Sequence, residues 1–333
     1  MKKIEEEKIR PETVFNKFLE LSEQDAKKFF NKEKFHHINC PACGHDQIET
    51  KFTKHSFQYV ECSECHSLYN SPRPSLDETF RYYSDSESAS FWAKEVLRKT
   101  KEQRKNAIVT PNVKRIGDLL KDRTSGRHRI IDVGAATGVF LQEWKKVFEQ
   151  AELIAIEPGP EGAQACREIG AQVAEGLIEN VAGDLEGEGD IVTCFEVIEH
   201  VHDPVEFAKA IHKIVAPQGC AVVTGLGVEG FDIQLLWDKS RSIMPPYHLN
   251  FMSVKGIEKI FKNAGFDEVE VITPGRLDVE IVERAVERGE YELSNRFERL
   301  LMSKSEETKV AFQKFLAEHQ MSSHVWAICK RNV

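Results

Sequence analysis

The sequence predicts an α/β protein, a mostly parallel sheet with helices on both faces, carrying a small cysteine-rich subdomain near its amino terminus. Three observations carry that expectation. From residue 126 to about 273, short apolar runs alternate with helical patterns, the order that builds parallel sheets with covered faces. One of these runs, Arg129 to Val133, passes through a small-residue turn, Gly134 to Gly138, straight into a helical pattern starting at Val139. Upstream, Cys40 and Cys43, then Cys62 and Cys65, form two C-x-x-C pairs, a spacing that can set four thiolates around one tetrahedral ion.

Composition bounds the rest. A chain of 333 residues has room for a sizeable core with an appendage. The net charge of -9 and pI near 5.8 argue against bulk nucleic-acid affinity, which rests on phosphate neutralisation by Lys and Arg. The leading MKKIEEEKIRPETVF alternates charge signs without an apolar stretch, unlike a signal or transit peptide. No apolar run approaches the ~20 residues that span a bilayer. A soluble, cytoplasmic protein is expected. Four clustered cysteines and four scattered ones (Cys166, Cys194, Cys220, Cys329) suit a reducing compartment with one metal site and several buried thiols.

In chain order, residues 1–34 form a helical leader, with Val14, Phe18, Leu21, Phe29 and Phe30 at helical spacing. Residues 35–75 form a zinc ribbon, in which Pro41 and Gly44 favour a tight turn at the first pair and an alternating stretch between the pairs forms a hairpin. Zinc supplies stability that about forty residues cannot draw from a core. Lys51, Lys54 and Arg73 face Asp46, Glu49, Glu61 and Glu64 in composition, so the ribbon reads as a structural cap or part of a substrate wall. His45 and His66 are expected at the surface or in support, since four thiolates fill the site. Residues 76–125 are a polar helical connector with Tyr82, Tyr83, Phe91 and Trp92, then Lys94, Arg98, Lys99, Lys101, Arg104 and Lys105. The basic run is a solvated helix face or, with the aromatics, a lid over an acceptor. Residues 126–333 form the main domain, with strands at 129–133, 152–156, 171–174, 190–195, 219–224, 267–272 and 324–330. Its helices are expected at 139–148, 161–169, 204–215 and 253–264, with a charged helical insertion at about 279–320.

Open α/β sheets bind ligands at the carboxyl ends of their strands. Gly134 and Gly138, with Ala135 between, remove side chains where backbone must approach a ligand and are expected to leave backbone N–H groups free at a helix start. The second strand ends at Glu157-Pro158, about where nucleotide-binding units place an acid for ribose hydroxyls. The dinucleotide spelling G-x-G-x-x-G is absent, because Ala136 and Val139 occupy glycine positions.

Asp132-x-Gly134-x-x-x-Gly138 followed by Glu157 resembles the signature of class I S-adenosylmethionine (SAM) methyltransferases, with Ala136 in place of the middle glycine. The resemblance implies a Rossmann-like sheet, SAM as methyl donor, and 324–330 as the antiparallel partner of 267–272. It implies that Asp132 and Gly134 line the methionine portion and that Glu157 bonds the ribose hydroxyls. Glu175-Gly176-Leu177 would lie beside adenine, and Phe195 and Glu196 would face the sulfonium, with Ala135, Gly138 and Pro158 completing the cofactor set. Ala216-Pro217-Gln218-Gly219 resembles the family's Pro-Gly-Gly turn before the fifth strand. The ribbon layout, with NSPRP and PPYHLNF, is similar to a group of methyltransferases assigned to sugar or polysaccharide modification.

Two sets of residues are candidates for the chemistry. Glu196, Glu199 and His200, in E-x-x-E-H, share a face if a helix begins there. His248 and Asn250 lie in PPYHLNF, after the fifth strand, where class I enzymes receive their acceptor. In one mechanism His200 or His248 is a general base. In the other, Glu196, Glu199 and His200, with His248, bind a divalent ion that orients and acidifies an acceptor hydroxyl; E-x-x-E-H resembles the metal-binding pattern of ubiquinone-pathway O-methyltransferases and small-RNA 2′-O-methyltransferases. A third reading has Glu199 and His200 merely cap and orient a helix. The expected activity is methyl transfer to a small polar acceptor, a sugar or sugar nucleotide. Alternatives are an RNA or protein methyltransferase that selects its substrate through the ribbon, or an inactive SAM-binding scaffold. Neither nucleic acid nor membrane is an expected partner, and the oligomeric state stays open.

Overall fold

The computed structural model describes residues 6–120 and 128–332, so the first residues of the leader and the junction of connector and main domain lie outside the described residues. The described strands are, in chain order, β1 (Ile48–Lys54), β2 (Phe57–Cys62), β3 (Leu68–Asn70), β4 (Arg129–Val133), β5 (Glu152–Glu157), β6 (Gln172–Glu175), β7 (Gly189–Phe195), β8 (Val215–Leu226), β9 (Asn250–Phe251), β10 (Glu268–Ile272) and β11 (His324–Lys330). The chain divides into two units, one comprising Met1–Lys99, Leu226–Ile257 and Val271–Trp326, the other Thr100–Gly225, Glu258–Glu270 and Ala327–Val333. No helix among the described residues is long and apolar enough to cross a membrane.

The first unit is built on the sheet β1-β2-β3-β9. β1 and β2 form a hairpin in which Lys54 faces Phe57, and the two turn residues, His55 and Ser56, both take positive φ (44° and 73°). That is a two-residue primed turn made without the usual Asn-Gly. The leader helix Glu12–Phe29 buries Phe15, Phe18 and Leu21 from one stripe, and Phe18 packs its ring 5.1 Å from Tyr247 and 4.7 Å from Trp92. Tyr82, Phe91 and Trp92 belong to this same aromatic core, so the connector's aromatics are core rather than a lid. Its cations pair along their own helix turns, Lys99 with Glu95 and Lys105 with Glu102, as a solvated face requires. The insertion forms three helices, Asp278–Glu287, Arg296–Met302 and Glu306–Glu318.

The second unit carries the sheet β10-β11-β8-β7-β4-β5-β6. β4 pairs in parallel with β5 on one side and β7 on the other, so the sheet grows in opposite directions from β4 and leaves a switch point at its carboxyl end. Asp267, just before β10, donates its N–H to Lys330 O at the end of β11 (3.0 Å), which sets the two strands antiparallel, as expected. One element differs. β8 begins at Val215, paired with Gly189 across a register shift, and absorbs Ala216–Gly219, with Gln218 at φ 66°. The expected turn is therefore a bulged strand start, held by Arg331 N–H on Gly219 O (3.1 Å).

Candidate cofactor and catalytic site

At the end of β4 the chain makes three left-handed steps, Gly134 (φ 71°), Ala136 (φ 48°) and Gly138 (φ 69°). Packing as well as φ demands the glycines, since a Cβ on Gly134 would lie 2.8 Å from Val197 and one on Gly138 2.6 Å from Ile169. The N–H groups expected to be free are engaged: Gly134 and Ala135 donate to Ile156 O (2.9 and 3.3 Å) and Gly138 to Ala135 O (2.8 Å). Ala136 donates to Glu157 Oε2 at 2.7 Å, while Gly159 donates to Glu157 Oε1 at 2.8 Å. The bend folds onto the end of β5, with the Glu157 carboxylate bridging Ala136 and Gly159. Burial raises the Glu157 pKa, against the lowering effect of those two amides.

Asp132, 2 % exposed, accepts a hydrogen bond from Thr193 Oγ1 at 2.7 Å. Burial pushes its carboxyl up to about 7, with a smaller push from the Glu157 charge. The Phe195 ring stacks on Phe140 at 3.6 Å between centroids. Gly176 takes φ 146° and donates its N–H to Glu157 O (3.4 Å), while Leu177 precedes the helix Ile178–Val181 and Pro158 the helix Pro160–Glu168. Glu175 is exposed and paired with Arg167. Cys166, one of the expected buried thiols, lies against the bend, which the sequence did not indicate: its Sγ is 3.5 Å from Ala136 O and the thiol is pushed up to about 11 by burial.

E-x-x-E-H is a turn, not a helix. Glu196 sits at φ 55°, and the next helix starts only at Pro204, where Asp203 Oδ1 accepts from Val205 and Glu206 N–H (3.0 and 3.1 Å). Asp203 is the cap, which overturns a capping role for Glu199 and His200. Glu196 Oε1 accepts from Thr224 Oγ1 at 2.7 Å. Glu199 is 2 % exposed and its Oε2 has no hydrogen-bond partner among the described residues. That oxygen lies 2.9 Å from where a Cβ on Gly225 would sit. Burial first, then the Glu196 charge, drive the Glu199 pKa well above its ordinary value. His200, half-buried, donates its N–H to Val197 O (2.9 Å).

His248 and Asn250 belong to the first unit. The His248 Nδ1 lies 2.6 Å from Ser242 O, so it carries the proton and any proton or ion is handled at Nε2. Asn250 is fully buried, with Oδ1 accepting from Arg73 Nη2 at 2.9 Å. In the ribbon, the Sγ atoms of Cys40, Cys43, Cys62 and Cys65 all lie within 4.8 Å of one another. Hydrogen bonding from Cys40 pulls the Cys65 thiol down to about 4, while burial pushes Cys43 up to about 11. A tetrahedron with bonds of ~2.3 Å has sulfur edges of ~3.8 Å, and the pairs Cys40–Cys65 and Cys43–Cys62 stand at 3.5 Å. The donor set fits a zinc-sized ion.

The sequence profile of a family described as methyltransferase domain matches residues 90–271, more than half of the 333. The chain belongs to this methyltransferase family. A ubiquinone biosynthesis O-methyltransferase of Azotobacter vinelandii is 31% identical over 103 residues, 29% of this chain and 43% of the relative. One from Escherichia coli O127:H6 is 30% identical over 108 residues, 31% of this chain and 44% of its own. The chain thus spans about two fifths of the length of the curated relatives it matches. Among solved structures, a SAM-dependent methyltransferase from Thermotoga maritima aligns with TM-score 0.47 and 16% identity, covering 72% of this chain and 98% of its own. A plantazolicin methyltransferase in complex with SAH aligns with TM-score 0.49 and 12% identity, covering 76% and 94%.

Proposed function

We propose that the protein transfers a methyl group from SAM to a hydroxyl of a small polar acceptor. One observation carries the cofactor assignment: Glu157 is held by Ala136 and Gly159 N–H at the switch point, aimed where a ribose diol would displace or share those bonds. Asp132 lies on the neighbouring strand, at the methionine end. Methyl transfer is an in-line displacement, so these residues contribute orientation and proximity. The acceptor must also lose a proton. The bond to Ser242 O puts the proton on Nδ1 and makes Nε2 the basic nitrogen of His248, the atom that would take it. A sugar or sugar nucleotide is the acceptor class that the ribbon and PPYHLNF resemblance favours. The names of the relatives favour an oxygen acceptor and offer a ubiquinone precursor as the second class to test.

A second mechanism is favoured by Glu199. A buried carboxyl with an orphaned oxygen beside Glu196 needs a proton or a cation, and the reading asks two carboxylates, Glu196 and Glu199, and the His200 imidazole to supply the ligands. A divalent ion there would polarise an acceptor hydroxyl. In the ribbon, the four cysteines hold zinc as a structural ion. Calorimetric titration with SAM and S-adenosylhomocysteine tests the assignment: binding of both supports it, and binding of neither leaves only a scaffold. Turnover of a sugar-nucleotide and quinone-precursor panel, with EDTA or with Mg²⁺ or Mn²⁺, separates the acceptors and mechanisms.

A further inference from the structure

We propose that the cysteine ribbon is the positioning frame of His248, and that Tyr59, on the strand between the two cysteine pairs, is a positioning residue for that imidazole. The proposal rests on the reading of His248 as the acceptor-side group. Its observation is a run of three consecutive backbone carbonyls, each taken by a different donor from the ribbon or from the helix Leu76–Asp85 that follows it. Tyr83 OH donates to Tyr247 O at 2.8 Å, Tyr59 OH to His248 O at 2.5 Å, and Asn70 N–H to Leu249 O at 2.8 Å. The segment is buried, with Tyr247 6 % and Leu249 0 % exposed, so its carbonyls must find donors inside the protein, and the ribbon side supplies all three.

The bolting continues downstream. Asn250 and Phe251 pair with Tyr69 and Leu68 of β3, Arg73 holds the Asn250 side chain, and Ser253 N–H donates to Ser67 Oγ at 3.0 Å while its hydroxyl donates to Cys65 O. Residues 247–253 are therefore held by residues that lie between or just after the cysteines. Tyr59 can act as a fixed post because it is fully buried, with its ring stacked on Phe52 at 5.5 Å and set edge-on to Phe251 at 6.3 Å. Its bond fixes the His248 backbone, and the bond from Nδ1 to Ser242 O fixes the ring. Together they leave the imidazole one orientation, which is what a proton acceptor must have before its substrate arrives. On this account the ribbon acts on the acceptor side and leaves the SAM site alone.

Tyr59→Phe keeps the ring and removes only the donor. In ¹⁵N-labelled full-length protein, the His248 Nδ1–H signal, assigned by its loss in His248→Gln, is expected to be slowly exchanging. In Tyr59→Phe its exchange should speed up by about tenfold or more as the loop opens locally, while SAM affinity stays within twofold. Stripping the ribbon with a chelator should broaden the same signal. An unchanged signal in Tyr59→Phe overturns the proposal. If that variant does not fold, Tyr83→Phe applies the same test at the adjoining carbonyl. Failure of the wild-type protein to bind SAM would refute the cofactor assignment, and the exchange comparison would still decide the role of Tyr59.

Discussion

Glu157 holds the glycine bend with one carboxylate oxygen and the start of the following helix with the other. Glu157→Ala removes both bonds and the ribose contact assigned to it. SAM affinity should fall by ~2–3 kcal/mol, the scale of a pair of charge-assisted hydrogen bonds, and titration calorimetry reads it. Asp132 gives a second prediction at this scale. Its carboxyl is raised from 3.8 to about 7 by burial, so between those values the folded protein holds a proton that the unfolded chain has lost. That contribution is fully present below the unfolded value and is lost as pH rises through about 7. Asp132→Asn keeps an acceptor for Thr193 and has no such loss. The variant should gain on the wild type by on the order of 4 kcal/mol between pH 4 and pH 8, as urea midpoints at the two pH values would show. The acid at the end of β5 was legible because a strand end and a ligand acid share one spacing rule. The orphaned oxygen of Glu199 was not: burial depends on Gly225, twenty-six positions on, and no local pattern announces it.

The elements divide the same way, by how local their cause is. The βα alternation was legible to within a few residues because the inner strands β4, β5, β7 and β11 are buried on both faces and the helices bury one stripe. The shared face of E-x-x-E-H was conditional on a helix starting there, and i, i+3, i+4 spacing says nothing about the backbone at Glu196, whose φ of 55° keeps one from starting. In the ribbon, the first cysteine turn ends in Gly44 at φ 77° and the second in His66 at φ 60°, so the second turn meets a glycine requirement with a histidine and hides it. Two predictions belong here. Purified protein should carry one zinc, and a strong chelator should abolish the β1–β2–β3 amide protection; retained protection without metal would refute the ion. Gly138→Ala forces a side chain into a left-handed position 2.6 Å from Ile169. It should cost ~1–3 kcal/mol, measured as a lowered urea midpoint.

Across the molecule, the seven-stranded sheet was legible and the make-up of the other unit was not. The sequence places leader, ribbon, connector and the PPYHLNF segment far apart, yet Phe15 and Phe18 of the leader, Tyr59 of the ribbon, Tyr82 of the connector and Tyr247 share one core. Hydrophobic periodicity tells a helix which face to bury, but not against which distant partner. The alternative reading of a lid failed for the same reason, because Tyr82, Phe91 and Trp92 are committed to that core.

β9 supplies the last rung of the ribbon sheet, and the hydroxyls that tie it down, Ser67 and Ser253, are 186 residues apart in the chain. A nascent chain emerging from the ribosome therefore displays β3 as an unpaired edge until nearly two hundred more residues have been made, an invitation to pair with strangers. Fragments that stop at the ribbon's own boundary should clump through that edge, and an excised ribbon needs the later strand supplied as a peptide to stay dispersed.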